Sequence, residues 1–374
     1  MTIYQRLGDY IRPVDVRNRG LKIHLSQGIC NAKYFQNPKQ VADNPETHKV
    51  VRTGQFAYNR ATTRNGEKIS IALREGPDCT VSSAYQVFEV IDENLLNPKY
   101  LMMWFKRPEF DRLAIYYSHG SAHEFFEWEA MCDVMLPIPS IARQREIVAE
   151  YETLTNRIRL NNQMIQHLEA TAQALYRKTF VDNIDKENLP TGWRMGTLTD
   201  IATYLNGIAC QKYETKEEKF LSVLKIRELS QGYCDENSDH VETSIPQEYI
   251  INDGDVIFSW SATLFIDIWC GGKCALNQHL FKVFSKEYPK WFYFLWTQNH
   301  IAEWKRLISA KATSMGHIKR EDLESAKVII PSKLSMADMT TQMNPVFDMY
   351  VQKRKEILLL TELQSLLLAK MGQI

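Results

Sequence analysis

Residues 136–180 read LPIPSIARQREIVAEYETLTNRIRLNNQMIQHLEATAQALYRKTF. Within this stretch Ile147, Tyr151, Leu154, Ile158, Ile165, Leu168, Ala172, Leu175 and Thr179 follow one another in alternating steps of four and three, with one place, Asn161, passed over. Side chains at that spacing line one stripe of an α-helix, and over this length they make the seam of a coiled coil. Residues 328–372, VIIPSKLSMADMTTQMNPVFDMYVQKRKEILLLTELQSLLLAKMG, carry the same pattern 192 places later, through Met339, Met343, Val346, Tyr350, Ile357, Leu360, Gln364, Leu367 and Met371, with Lys353 passed over. A seam needs a partner, and the natural partner of each helix is the other, packed antiparallel. Ser140 is placed to cap the first helix, and Asn344-Pro345 predicts a kink or a restart in the second. Asn161 and Lys353 have two readings: solvated places where the seam lapses, or one polar layer near mid-helix that fixes register.

Working outward, the rest of the chain also falls into two copies. LSQG at 25–28 recurs at 229–232, the turn and apolar run from Thr53 to Asn59 is answered by Asp253 to Ser259, and NPKYLMMWF from Asn97 by YPKWFYFLW from Tyr288. IPS at 138–140 recurs at 330–332. The expected organisation is therefore a globular part over 1–140, a helix over 141–180, a second globular part over 181–332 and a second helix over 333–374. The fold class is α/β, with α+β globular parts, two long helices forming an antiparallel coiled coil, and a pseudo-two-fold internal repeat. At about 1.5 Å per residue the first helix would extend roughly 60 Å, the length of about 17 base pairs, so the pair would act as a ruler between the globular halves.

The chain has 374 residues with 45 Lys+Arg and 45 Asp+Glu, a net charge of zero that offers no overall basic footprint for nucleic acid or anionic membrane. The zero is a cancellation. Residues 1–74 carry 13 basic and 5 acidic side chains, whereas 75–140 carry 4 and 11; residues 228–267 hold nine acids and no Lys or Arg, and 268–327 hold ten basic residues against five acids. No stretch approaches a membrane span and the first residues lack a secretory pattern, so the expected location is the cytoplasm. Seven cysteines without paired spacing fit free thiols.

The usual enzyme signatures are missing: no phosphate loop, no dinucleotide fingerprint, no nucleophile elbow, no zinc-protease motif and no C-x-x-C. His119 and His123 stand four apart, but their equivalents in the second copy are Lys311 and Met315, which argues against a metal pair. Cys270 and Cys274 flank a Gly-Gly-Lys turn and read as free cysteines. Asn97-Pro98-Lys99-Tyr100 reads as a helix start, and the aromatics Trp104, Phe105, Trp291, Phe292, Trp296 and Trp304 as core.

With these elements in place, the sequence resembles the specificity subunit of type I restriction-modification systems over essentially its whole length. The resemblance rests on LGDYI from Leu7, LPTGWRMGTLTDIA from Leu189, DGDVIFS from Asp253, LNQHLFKV from Leu276, GHIKREDLESAKVIIPS before the second helix and LPIPSIARQREIVAEY entering the first. The first copy departs from it, with Ser82-Ser83-Ala84 where the second has Asn277-Gln278-His279. The resemblance implies a non-catalytic subunit with two target-recognition domains, each reading one half of a bipartite sequence in double-stranded DNA. It further implies helices that set the unread spacer and dock two methyltransferase subunits, which bring S-adenosylmethionine and receive the flipped adenine, while restriction and translocase subunits bring ATP and Mg. A coiled-coil scaffold that pairs two protein-binding domains without DNA would explain the repeat equally well.

Arg reads guanine and Asn or Gln reads adenine in the major groove, while Lys, Arg, Ser and Thr reach phosphates. In the first copy the polar loop Asn59, Arg60, Thr63 and Arg64 fits that chemistry, led by Arg60 and Arg64, with a second cluster at Lys33, Gln36 and Asn37 and a further loop at Ser121. In the second copy the matching places are Ser259, Trp260 and Ser261, and the loop Lys311, Thr313 and Ser314.

Overall fold

The computed structural model describes residues 4–38, 44–62, 68–118, 124–182, 184–310 and 317–373, with the backbone alone for 307–310. The chain divides into two units, Met1–Arg157 together with Leu360–Ile374, and Ile158–Leu359. Each is a mixture of helix and sheet into which part of both long helices is built.

In the first unit Tyr4–Arg6 pairs with Met135–Pro137. A four-stranded antiparallel sheet follows, in the order Ile11–Val14, Tyr85–Val90, Phe56–Asn59, Ile71–Leu73. Its alternation is the period-2 pattern of a sheet covered on both faces. Phe56, Tyr58, Phe88 and Val90 point into one apolar cluster with the helix Pro98–Phe105, while Ala57, Ala72 and Val87 point into another with Val51, Cys79 and Val81. Asn97 starts that helix by accepting the N–H groups of Lys99 and Tyr100 ahead of Pro98, so it is a cap.

The second unit repeats the frame. Arg194–Thr197 pairs with Lys327–Ile330, and the sheet runs Thr203–Asn206, Leu280–Phe284, Val256–Ser259, Phe265–Ile268 in the same order. Val256, Phe258, Val283 and Ile266 face one cluster; Ile257, Leu280 and Phe265 face the other. The repeat reaches individual bonds. Leu7 N–H donates to Val134 O as Leu198 N–H does to Ala326 O. Gly54 and Gly254 both adopt φ +89°, where a side chain is strained, and donate to Arg74 O and Trp269 O.

One sequence match is coincidence. Ser26, within the first LSQG, bridges Thr80 in parallel, and the residue that does the same to the matching strand in the second unit is Val223, which pairs with Ala275. The second LSQG instead ends the helix Ile226–Gln231, with Gly232 as its left-handed C-cap. Strings of four letters recur by chance; strand registers do not.

The long helices are Ile141–Arg177, continued by a π-helical turn Lys178–Asp182, and Lys333–Lys370. Ser140 and Ser332 cap them, accepting from Arg143 N and Ser335 N. Every seam place named above is buried or half-buried, and both helices enter both apolar cores. Ile147 and Met371 meet in the first unit; Ala172 and Tyr176 meet Met343 and Phe347 in the second. Thr155 accepts from Gln364 at 2.7 Å in the first unit, and Glu169 lies beside Tyr350 in the second, so the packing is antiparallel in the same register in each. No helix among the described residues is long and apolar enough to cross a membrane.

Two expectations need correction. The second helix runs through Pro345 without a restart. A proline there loses one backbone bond and costs about 3 kcal/mol, which the burial of Met343 and Phe347 on either side offsets. Asn161 and Lys353 do not form one layer: the register sets Asn161 level with Leu358 and Lys353 level with Gln166. Asn161 is 3% exposed with its amide nitrogen unpartnered, whereas the Lys353 ammonium pairs with Glu356 on its own helix at 2.8 Å. Since a buried donor without a partner costs about 1–3 kcal/mol, Asn161→Leu should raise stability by that order in urea unfolding while the helix content stays unchanged. A loss of stability would show that the amide is partnered after all.

Candidate nucleic-acid interface

The strand Phe56–Asn59 delivers Arg60 to one end of the first sheet, and the strand Val256–Ser259 delivers Trp260 to the same end of the second. Their equivalence is fixed by backbone bonds: Arg60 O accepts Phe126 N–H at 2.8 Å, and Trp260 O accepts Ile318 N–H at 3.1 Å. In each unit a segment that begins beyond the first helix of the YPK or NPK type therefore folds back onto the loop leaving the central strand.

The side chains dress this shared frame differently. The Arg60 guanidinium pairs with Glu127 at 3.0 Å and lies 5.7 Å from the centre of the Phe125 ring, with 40% of its side chain exposed. An aromatic platform and a carboxylate thus hold a planar donor at the surface, the arrangement that favours bidentate recognition of a base edge or phosphate. Asn59 turns inward to accept Ala61 N–H, and the Thr62 hydroxyl bonds to Glu124 O. In the second unit Trp260 Nε1 donates to Asn206 at 3.2 Å, and its ring lies 6.1 Å from His279 and 6.0 Å from His317. Both imidazoles are exposed.

Three sequence candidates are buried. Lys33 sits at φ +65° in the turn between Gly28–Ile29 and Phe35–Gln36, buried, with its ammonium 2.8 Å from Asp111 and bonded also to Phe105 O. Burial pulls its pKa below the usual lysine range, against the pull of Asp111. It pins the hairpin that exposes Gln36 and Asn37. Ser259 and Ser261 are buried, and the Ser259 hydroxyl donates to Ser261 O to close the turn beyond the strand. Thr63, Arg64, Ser121, Lys311, Thr313 and Ser314 lie outside the described residues, as do His119 and His123. Among the described residues no three His, Cys, Asp or Glu side chains gather as metal ligands.

Asn206, His279 and His317 were not singled out from the sequence as contacts. His279 had a signal, since it closes the Asn277-Gln278-His279 triplet, and the turn explains it. Asn277 is buried, its side chain accepts His279 N–H at 3.2 Å, and its carbonyl accepts Leu280 N–H. Ser82 accepts Tyr85 N–H in the same way, so the first copy keeps the turn with different side chains. Gly207 is required beside it, because a Cβ there would lie 2.2 Å from Asn277 O.

Lys33→Ala should strand the Asp111 carboxylate and cost about 3–5 kcal/mol in denaturant unfolding. The slope of duplex affinity against salt should not change, since no phosphate contact is removed. A flatter slope in the folded variant would return Lys33 to the interface.

Residues 190–336 match the family model of the type I restriction modification DNA specificity domain. The chain is 23% identical over 322 residues to the type I restriction enzyme MjaIX specificity subunit of Methanocaldococcus jannaschii, covering 80% of this chain and 73% of that one. It is 25% identical over 159 residues to the type I restriction enzyme HindI specificity subunit of Haemophilus influenzae, covering 41% and 34%. The crystal structure of a type-I restriction-modification system S subunit from M. genitalium has the same fold, with a TM-score of 0.59 at 11% identity over 100% of this chain and 96% of that one.

Proposed function

We propose, from the premise that this chain is a specificity subunit of a type I restriction-modification system, that its two units read the two halves of a bipartite sequence in double-stranded DNA. The observation that carries this reading is the doubled frame with unlike surfaces: Arg60 with Phe125 and Glu127 on one copy, Trp260 with His279, His317 and Asn206 on the other. One scaffold with two codes suits two different half-sites. Arg60 leads in the first unit, with Gln36 and Asn37 exposed and with Thr63, Arg64 and Ser121 as further candidates. Trp260 leads in the second, with Lys311, Thr313 and Ser314 as further candidates.

In this reading the two long helices set the unread spacer and dock two methyltransferase subunits. Exposed apolar side chains on both helices support the docking role, Leu160 and Met164 on the first and Leu359, Leu363 and Leu366 on the second, each about half exposed or more. Such side chains cost solubility unless a partner covers them. The chain itself carries no reaction step. S-adenosylmethionine belongs to the methyltransferase partner, ATP and Mg to the restriction and translocase partner, and the assembly works in the cytoplasm.

Mapping methylated adenines in DNA from cells that express this chain with its methyltransferase should give a two-part motif with a fixed gap. Exchanging residues 1–140 for those of a relative should change one half of the motif and leave the other. A continuous motif, or methylation that does not depend on this chain, would leave the helices as a scaffold that reads no DNA.

Arg60→Ala resolves the first unit further. Loss of a bidentate base contact should relax one motif position by about 1–3 kcal/mol of discrimination, measured as relative binding to substituted duplexes. A loss equal for all duplexes would assign Arg60 to a phosphate.

A further inference from the structure

The second unit brings two of the seven cysteines side by side, 40 places apart in sequence. Cys274 opens the strand Cys274–Leu276 and is fully buried, its backbone held in pairing with Ile251. Cys234 follows the helix Ile226–Gln231. The left-handed Gly232 turns the chain back, so that Cys234, half-buried, packs against the apolar cluster that contains Cys274. The two side chains are neighbours in that cluster.

The segment that carries Cys234 is held in place from its other side. Arg227 pairs with Asp235 at 2.8 Å, Asp235 N–H donates to the Ser238 hydroxyl at 3.0 Å, and that hydroxyl bonds to the buried Glu228 carboxylate at 3.1 Å. The approach of the two sulfurs is thus built by a cap, a strand pairing and a polar network.

The thiols differ in character. The neighbouring Cys274 thiol holds the Cys234 thiol below its usual range against burial, while burial pushes the Cys274 thiol well up. The reachable sulfur is therefore the one that ionises more readily, and the sealed one stays protonated beside it. Nucleophile and resolving thiol divide in this way in peroxide-sensing pairs.

We propose that Cys234 and Cys274 are an oxidative modification site, closing to a reversible disulfide under a hydroperoxide. The Cys234 thiolate attacks the peroxide oxygen; an S–O bond forms, the O–O bond breaks, and the departing oxygen takes a proton to leave as water or an alcohol. Cys274 then gives up its proton and attacks the Cys234 sulfenic acid. The S–S bond forms, the S–O bond breaks, and water leaves. Two thiols and one hydroperoxide become one disulfide, one water and one water or alcohol, with the sulfurs oxidised and the peroxide oxygen reduced. The cross-link ties the loop beyond Gly232 to the strand that leads into Asn277 and His279.

The test treats the full chain with hydrogen peroxide, alkylates the remaining thiols in denaturant, and digests with proteases that cut after Lys and Arg and after Asp and Glu. The second cut is needed because Cys234 and Cys270 share one tryptic peptide. The expected result is a Cys234–Cys274 linked peptide pair and loss of two alkylatable thiols, both regained with dithiothreitol. Cys234→Ser should leave Cys274 fully alkylatable, and Cys274→Ser should stop Cys234 at a sulfenic acid that dimedone captures. Sulfinic acid at Cys234 with Cys274 still alkylated, a Cys270–Cys274 link, or no change at either thiol would each overturn the proposal.

Discussion

The two long helices lie antiparallel, with Gln364 donating to Thr155 in one unit and Glu169 beside Tyr350 in the other, and both apolar cores depend on that register. Neither core closes without them. The first needs Ile147 and Val148 from one helix and Met371 from the other; the second needs Ala172 and Tyr176 with Met343 and Phe347. A slide of one turn would withdraw those side chains from their clusters, and a fully buried apolar side chain is worth about 1.5–3 kcal/mol. In the second unit Arg354 adds a directional lock, pairing with Asp267 on the strand Phe265–Ile268 while Tyr350 donates to the same carboxylate. Each unit takes part of both helices as a wall of its own core.

That arrangement explains what could be read from the sequence. The seam was legible because its side chains obey one period over the whole helix, and because two copies of it lie 192 places apart. The turn at Gly54 and Gly254 was legible for the same reason: both copies need the same left-handed backbone. Asn161 reads as a lapse in the seam and is among its most buried members, since period alone cannot distinguish a polar residue inside from one outside. The level of Lys353 depends on how the helices meet, which is a tertiary fact.

Residues of the interface were less legible, and the reasons are local. Lys33 belongs to a polar cluster in sequence, yet one left-handed residue in a tight turn sends its side chain inward to Asp111. Ser259 and Ser261 follow an apolar strand as a reading loop would, but their burial closes the turn. Arg60 and Trp260 do share a place, visible only once Phe126 and Ile318 are seen to bond to their carbonyls. A repeated frame with divergent loops hides its candidate reading side chains from any pattern search, because the pattern belongs to the frame.

The union of Leu360–Ile374 with the first unit has a consequence for the order of folding. The Tyr4 hydroxyl donates to Gly372 O, and Met371 is fully buried among residues made hundreds of places earlier. Everything the second unit requires is synthesised before the segment that completes the first. On the ribosome the later unit can therefore close while the earlier one still waits with an open apolar face, reversing the usual N-to-C sequence of domain folding. The segments that must meet in the first unit are separated in sequence by the whole of the second, so their closure carries the greater loop entropy.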